Sequence, residues 1–315
     1  MAILGNNTAG RALPNIGFFG TQSWTPAYSM QAYVYVIGAG GSGAATQHAS
    51  GNRSTGGGAG GCAVSLLTLL STITYTITIG AGGAKKTSTL AGSSGGLSSL
   101  VGSNITTMIG NGGAGGVQTV ATAATGAAGG TATGGTICNN TGGAGGDCAS
   151  ANYCVSGGGA VGLWATGNKG GAGVSSGYTS AHGGMFNYEV GILASGTDYT
   201  NSPQSGIAAK ATMAPFDIIS NYGEYTIQSS TISYRNAQLQ SGAFSSAYPM
   251  SVGTAYGQVP ASPFNGGASF NSPGSQPSNA SGGGIGGGGG ASYGSTVISG
   301  AGGDGAVLIF PVDMV

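Results

Sequence analysis

Charge is what this sequence has least of. Only seven basic and seven acidic side chains occur in 315 residues, where a globular domain carries about a quarter charged residues. The net charge is zero, so no basic surface exists to neutralise phosphates, and nucleic-acid binding is not expected. Histidine is confined to His48 and His182. The four cysteines (Cys62, Cys138, Cys148 and Cys154) contain no C-x-x-C pair, so neither a metal site nor a cofactor is expected. These thiols are expected to be free, although a Cys148–Cys154 bridge is geometrically open. Residues 1–13 lack a positive start followed by an apolar run, so a standard secretory leader is not expected. No segment has a helical stripe with caps, so almost no α-helix is expected. The longest uncharged apolar stretch, 62–79, alternates strictly over Thr74, Tyr75, Thr76, Ile77, Thr78 and Ile79, a strand period and not that of a membrane helix. Disorder is disfavoured as well, because hydrophobic residues reach 40% without excess charge.

Glycine is what the sequence has instead, at 69 residues. Its distribution is uneven: seven fall among the 80 residues 185–264, leaving 62 of the 69 for the other 235. Segments 57–62, 112–117, 142–147 and 283–288 read Gly-Gly-X-Gly-Gly-X, with Gly57, Gly58, Gly112, Gly113, Gly142, Gly143, Gly283 and Gly284 as their leading pairs. Shorter relatives occur at 40–43, 170–173 and 302–305. A period of three fits neither helix nor strand. It fits a left-handed polyproline-II-type helix, with three residues per turn and a rise near 3.1 Å. Two of its three faces then carry no side chain, so neighbouring backbones can approach to hydrogen-bonding distance. The alternative, a flexible Gly/Ser linker, has no reason to keep this phase or to alternate with strands.

Strands are expected at 32–37, 64–70, 72–79, parts of 97–109, and 306–310, each a β-branched or aromatic run stopped by glycine. The fold class is therefore all-β, with short strands and packed polyglycine-II helices. Four parts are expected: an arm at 1–31, a glycine-rich domain at 32–184, an inserted aromatic-rich module at 185–264, and a glycine-rich return with a closing strand at 265–315.

Catalytic motifs are present only as fragments. Gly38, Gly40 and Gly43 spell G-x-G-x-x-G after a strand, but no helix follows and the first acidic residue is Asp147. Lys85, Lys86 and Thr87 after Gly80 resemble a phosphate loop without its helix or its magnesium carboxylate, and read as the solvated tip of a turn. Gly92, Ser94 and Gly96 give G-x-S-x-G, with Asp147 and His182 following in hydrolase order, yet the strand and helix of a nucleophile elbow are missing. Glu189, Asp198, Asp217 and Glu224 show no spacing that selects a glycosidase pair. An enzyme is not expected. Sequons at Asn6, Asn52, Asn104, Asn139 and Asn279 follow from composition. In the aromatic module, Tyr222, Glu224 and Tyr225 form a polar and aromatic run of the kind found in binding loops, and they are the candidate receptor contact. The same rings would serve equally as the module's core.

The strand-to-glycine runs VYVIGAGG from Val34, GGGAGGCA from Gly56 and TYTITIGAGG from Thr74 resemble the glycine-rich domain of tailed-bacteriophage fibres. The close at 286–290, followed by GGDGAVLI from Gly302, is similar too. Distal adhesins of that group are built on stacked polyglycine-II helices whose tip loops touch the host surface. The resemblance implies a noncatalytic virion adhesin, made in the host cytoplasm and carried on a tail fibre or other exterior appendage. Its implied partners are other virion proteins and a bacterial surface glycan or outer-membrane protein, with a homo-oligomer in the particle. A structural virion component, such as a capsid decoration or tail-knob protein, is the alternative; an ice-binding or cell-wall protein would keep the fold and change the target. The chain departs from the resemblance in having 31 residues before Ala32 where a fibre has a long shaft. Arg11, Pro14, Phe18, Phe19 and Trp24 in that arm are candidates either for docking onto another virion protein or for a packed extension. The module at 185–264 has no counterpart in the resemblance.

Overall fold

The strand Met30–Ile37 shows how the first half of the fold is made. Alternate side chains leave opposite faces of a strand, and here both faces are apolar. Met30, Ala32, Val34 and Val36 point one way, Tyr35 and Ile37 the other, and all six are buried. The strand lies at the centre of a five-stranded antiparallel sheet, in the order Ile16–Phe18, Ala306–Met314, Met30–Ile37, Cys62–Leu69, Cys138–Asn140. A second antiparallel sheet, Ala132–Thr133, Met108–Gly110, Ser98–Val101, Tyr75–Thr78, Gln22–Trp24, covers one face. Tyr75, Ile77, Leu100 and Met108 meet Val34, Val36, Val307 and Ile309 between the sheets. On the other face Val161, Leu163 and Phe264 pack against Tyr35, Ile37, Leu308 and Phe310. The result is a β-sandwich with a second apolar layer beneath it.

The computed structural model describes residues 15–47, 53–120, 123–148, 154–163, 165–172, 180–181, 198–199, 264–267, 269–271 and 278–314. No helix occurs among them, and the fold is all-β.

Where the sandwich strands run into glycine, the backbone changes from pairwise ladders to bonding in every lateral direction. Along residues 38–45 the N–H groups of Gly38, Gly41 and Ala44 donate to the carbonyls of Gly61, Gly58 and Thr55. Those of Ala39, Ser42 and Ala45 reach Gly96, Ser93 and Leu90, and those of Gly40 and Gly43 reach Gly303 and Gly300, all at 2.8–3.0 Å. A partner that recurs every third residue is the signature of three residues per turn. The carbonyls of the same rod accept from three more neighbours: Gly113 and Gly116, Gly289 and Ser292, and Gly83. The rod thus has six bonded neighbours, the arrangement of hexagonally packed cylinders. Rod 55–61 is likewise surrounded, by 38–44, 111–117, 130, 143, 159 and 286–289, and rod 286–292 by 38–45, 55–61, 156–159, 267, 281–284 and 300–303. Among the described glycines only Gly134 and Gly286 have positive φ, so the rods turn in the left-handed polyproline sense.

Burial follows the same period. Along 141–147 both Gly-Gly pairs are buried, while Thr141, Ala144 and Asp147 reach the surface. A methyl group on Gly113 would overlap the carbonyl of Gly58, and one on Gly143 that of Asn168. The other leading glycines are as constrained: a Cβ would strike the carbonyl of Gly41 from Gly57, Ala128 from Gly58, Gly95 from Gly112, Ala59 from Gly142 and Gly287 from Gly283. Gly284 donates to Asn265 at 2.9 Å and accepts from Gly287 at 2.7 Å.

The arm is part of the sandwich from residue 16 onward. Ile16–Phe18 and Gln22–Trp24 each form an edge strand, and the rings of Phe18 and Trp24 lie 5.4 Å apart, Phe18 in the core and Trp24 packed against it, as in the packed-extension reading of the arm. Phe19 remains largely exposed, and Arg11 and Pro14 lie outside the described residues. The closing strand also runs farther than expected, to Met314, past an irregularity at Pro311–Asp313 that absorbs the proline's missing donor.

Candidate functional site

The rods join at two ends. At one end they run from or into the sandwich strands or turn back, as at 284–287; at the other, the loop end, they lead to the short strands Ala45–Gln47, Arg53–Ser54, Gln118–Thr119, Cys154–Val155 and Ser292–Gly294 and to segment 84–89. Short strands organise that loop end. Ala45–Gln47 pairs in parallel with Ser292–Gly294, which pairs in parallel with Phe270–Asn271. Arg53–Ser54 is flanked by Gln118–Thr119 and Cys154–Val155. Val155, Ala291 and Tyr293 form a small buried cluster, and Arg53 is buried as well. Ser156 fastens the rods behind it: its hydroxyl accepts from the N–H of Gly56 at 3.1 Å and donates to the carbonyl of Gly146 at 2.5 Å.

Cys148 and Cys154 are joined as a disulfide at this end, which corrects the expectation of free thiols. The bridge joins the ends of two neighbouring rods, a proximity created by the bonding of 141–147 to 157–160 and not signalled by any C-x-x-C spacing. Cys62 and Cys138 are free. Complete burial, and secondarily the Cys138 thiol, push the Cys62 thiol up; burial also raises Cys138, with a hydrogen bond from Asn140 opposing it. Neither has the depressed pKa of a reactive thiol.

An ion pair is here too, between Lys169 Nζ and Asp147 Oδ2 at 2.5 Å. Partial burial raises the Asp147 carboxyl, but the Gly126 N–H at 2.8 Å and the Lys169 ammonium more than offset it, so the group is held below the ordinary carboxylate range. Asp147 thereby ties three rods, 125–131, 141–147 and 167–172.

The motif fragments can be read from their partners. The N–H groups of Gly38, Gly40 and Gly43 all donate to protein carbonyls, leaving none to cradle a pyrophosphate. Lys85 is exposed, and Lys86 Nζ reaches Ser93 Oγ at 2.6 Å across the turn. Ser94 is exposed on a rod, its hydroxyl 3.4 Å from the N–H of Gly115, while Asp147 is committed to Lys169 and Gly126. Asn104 is held by Thr68 and Tyr75, and Asn139 by Gly135. Among the described residues no group of three His, Cys, Asp or Glu side chains converges as a metal site, and no helix is long and apolar enough to cross a membrane. Tyr222, Glu224 and Tyr225, the candidate receptor contact, lie outside the described residues, as do His48, His182, Glu189, Asp217, Asn6 and Asn52.

The rods thus supply a rigid base, and the described part of the loop end offers hydroxyls, amides, a lysine pair and little net charge. Residues 17–310 match a glycine-rich domain family. The chain belongs to this glycine-rich domain family. The match runs from the first edge strand to the closing strand. A search of curated proteins finds no match to the chain.

Proposed function

We propose that this glycine-rich domain protein is a noncatalytic adhesin of tailed-bacteriophage type, which holds its loop end against a bacterial surface glycan or outer-membrane protein. The observation that carries this reading is the division of the molecule: the two five-stranded sheets and their apolar cores at one end, a backbone-bonded bundle in the middle, and at the other the short strands and connections where the rods end. The likeness of VYVIGAGG, TYTITIGAGG and GGDGAVLI to fibre domains adds the phage context. A zero net charge removes long-range steering, so attachment would depend on close contact and on several copies acting together. Other virion proteins would hold the sandwich end. The module at 185–264, with Tyr222, Glu224 and Tyr225, is the proposed principal contact, because Tyr gives large contact area at modest entropy cost.

The test is adsorption. Particles or purified chain bearing Tyr222→Ala with Tyr225→Ala, and separately a Gly/Ser replacement of 84–89, are titrated onto host cells and onto extracted surface glycan. The adhesin reading expects normal assembly with binding reduced at least tenfold in one of the two variants. Normal binding in both, combined with failed assembly when 185–264 is deleted, favours a structural virion component instead.

A further inference from the structure

Three rods lie side by side on one flank of the bundle. Rod 111–117 bonds on one side to 90–96, through Gly95 and Gly92 to the carbonyls of Gly113 and Gly116, and on the other to 125–131, through Asn111 and Ala114 to Thr131 and Ala128. Beneath them lie rods 38–45 and 55–61; on the outside no described segment bonds to them. The outward residues recur at intervals of three: Ala91, Ser94 and Leu97; Asn111, Ala114 and Val117; Thr125, Ala128 and Thr131. None is charged. The flank and its rim also concentrate the exposed aliphatic residues: Leu90 is 52% exposed, Leu97 48%, Val117 40% and Val120 74%.

The backbone on this flank is open as well. The N–H and carbonyl groups of Gly112, and the carbonyl of Gly115, have no partner among the described residues, nor do the N–H groups of Ala91, Ser94 and Gly129. Inside the bundle, groups at the equivalent three-residue spacing are satisfied by the next layer of rods. Small side chains do not prevent that layering, since Ala39, Ser42 and Ala59 are wholly buried between rods.

We propose that this flank is a self-association surface, on which two copies stack so that each supplies the other with a further layer of rods. A second copy is the occupant whose hydrogen-bond spacing is matched by construction: the same donors and acceptors recur at the same three-residue interval, and rods already bond in both parallel and antiparallel senses. An uncharged face also carries no repulsion between copies. A strand added as in β-augmentation would present a two-residue period and fall out of step. The contact is small. Seven residues at 3.1 Å span about 20 Å, and three rods about 5 Å apart span about 15 Å. That is roughly 300 Å² per copy against about 800 Å² for a standard interface. Association is therefore weak for free copies and effective for copies held together in one particle. The inference names the face of the homo-oligomer and does not depend on what the loop end binds.

The experiment is sedimentation of the full chain over a wide concentration range, with Ala114→Arg and Ala128→Arg at the centre of the flank and Leu66→Arg on the sandwich as a control. The parent and the control should shift toward dimer as concentration rises, and the flank variants should weaken dimerisation at least tenfold while melting like the parent. Amide exchange gives a second readout: protection at Ala91, Ser94 and Gly112 should rise with concentration in the parent alone. A parent that stays monomeric with concentration-independent exchange, or a dimer broken by the control and not by the flank variants, overturns the proposal. Host adsorption is not part of either measurement, so the adhesin reading stands or falls separately.

Discussion

Gly113→Ala is the smallest perturbation that tests the bundle, and the expected sign runs against general experience. At a position with negative φ, replacing Gly by Ala usually stabilises by about 0.4–1 kcal/mol, because the unfolded chain loses freedom. Gly113 has such a φ. Its Cβ, however, would overlap the carbonyl of Gly58 and lie 2.7 Å from that of Ala59. Relief requires rod 111–117 to move away from rod 55–61 by about 1 Å, which takes a hydrogen bond of ordinary length beyond bonding range. Three backbone bonds join these rods, Gly61 to Asn111, Gly58 to Ala114 and Thr55 to Val117, each at 2.9 Å. Losing two of them at about 1 kcal/mol each, with overpacking of about 1–3 kcal/mol, gives a destabilisation of about 3–5 kcal/mol. For a chain of this size the melting temperature should fall by roughly 6–15 °C. Ala114→Val is the matched control. It adds more volume one residue later, but on the outward, half-buried face of the same rod, and should cost under about 0.5 kcal/mol. Denaturant or thermal unfolding of the two variants decides the matter. Equal stability of Gly113→Ala and the parent would refute backbone-to-backbone packing at this position.

Three further outcomes follow from the loop end and the cysteines. Because the Asp147 carboxyl is held below its ordinary value, its contribution to stability is present above the unfolded carboxylate pKa and is lost as pH falls through the folded one. Asp147→Asn should therefore narrow its stability gap to the parent in acid, as melting curves at stepped pH will record; a gap that widens in acid would contradict the assignment. Opening the Cys148–Cys154 bridge, which spans six residues in sequence, should cost about 2 kcal/mol by loop entropy, measured as the difference between melts with and without reductant, with Cys148→Ser as the reference. Cys62 is fully buried and its thiol is raised, so iodoacetamide at mildly alkaline pH should leave it unmodified until the protein is unfolded. Cys138, half-buried, should react first.

Much of this architecture was legible from local pattern. The three-residue period of GGX is a backbone property, and it carries directly into bonding that repeats at Gly38, Gly41 and Ala44. Tyr75 and Ile77 alternate in the sequence and face one core in the fold. Legibility stopped where a partner decides the outcome. Ile16–Phe18 and Gln22–Trp24 are three residues each, too short for periodicity to register, and they are strands because Ala306–Met314 and Tyr75–Thr78 supply ladders. Within 97–109, where strand was expected in parts, the division is set by pairing: Ser98–Val101 and Met108–Gly110 are strands, separated by a turn that brings Ile105 back to Gly102. The disulfide was equally hidden, since Cys148 and Cys154 meet only when rods 141–147 and 156–161 dock. Of the candidate site, the composition made the absence of an enzyme an expectation, while the convergence of loops at one end required knowing which way each rod runs.

The hexagonal bundle has a consequence for biosynthesis. Rod 38–45 bonds to segments that end as late as Gly303, and the strand Met30–Ile37 lies beside Ala306–Met314, which in turn separates it from Ile16–Phe18. Residues 16–45 therefore wait for residues 300–314 to be made before the inner layer can close. Contacts of such long sequence separation make for slow folding, and until they form, glycine segments with open donors and apolar strands with open edges are exposed together. Such a chain should gain its structure in one late event, once residues 300–314 have been made, and its yield in the cell should depend on how long the incomplete domain is kept from meeting its neighbours.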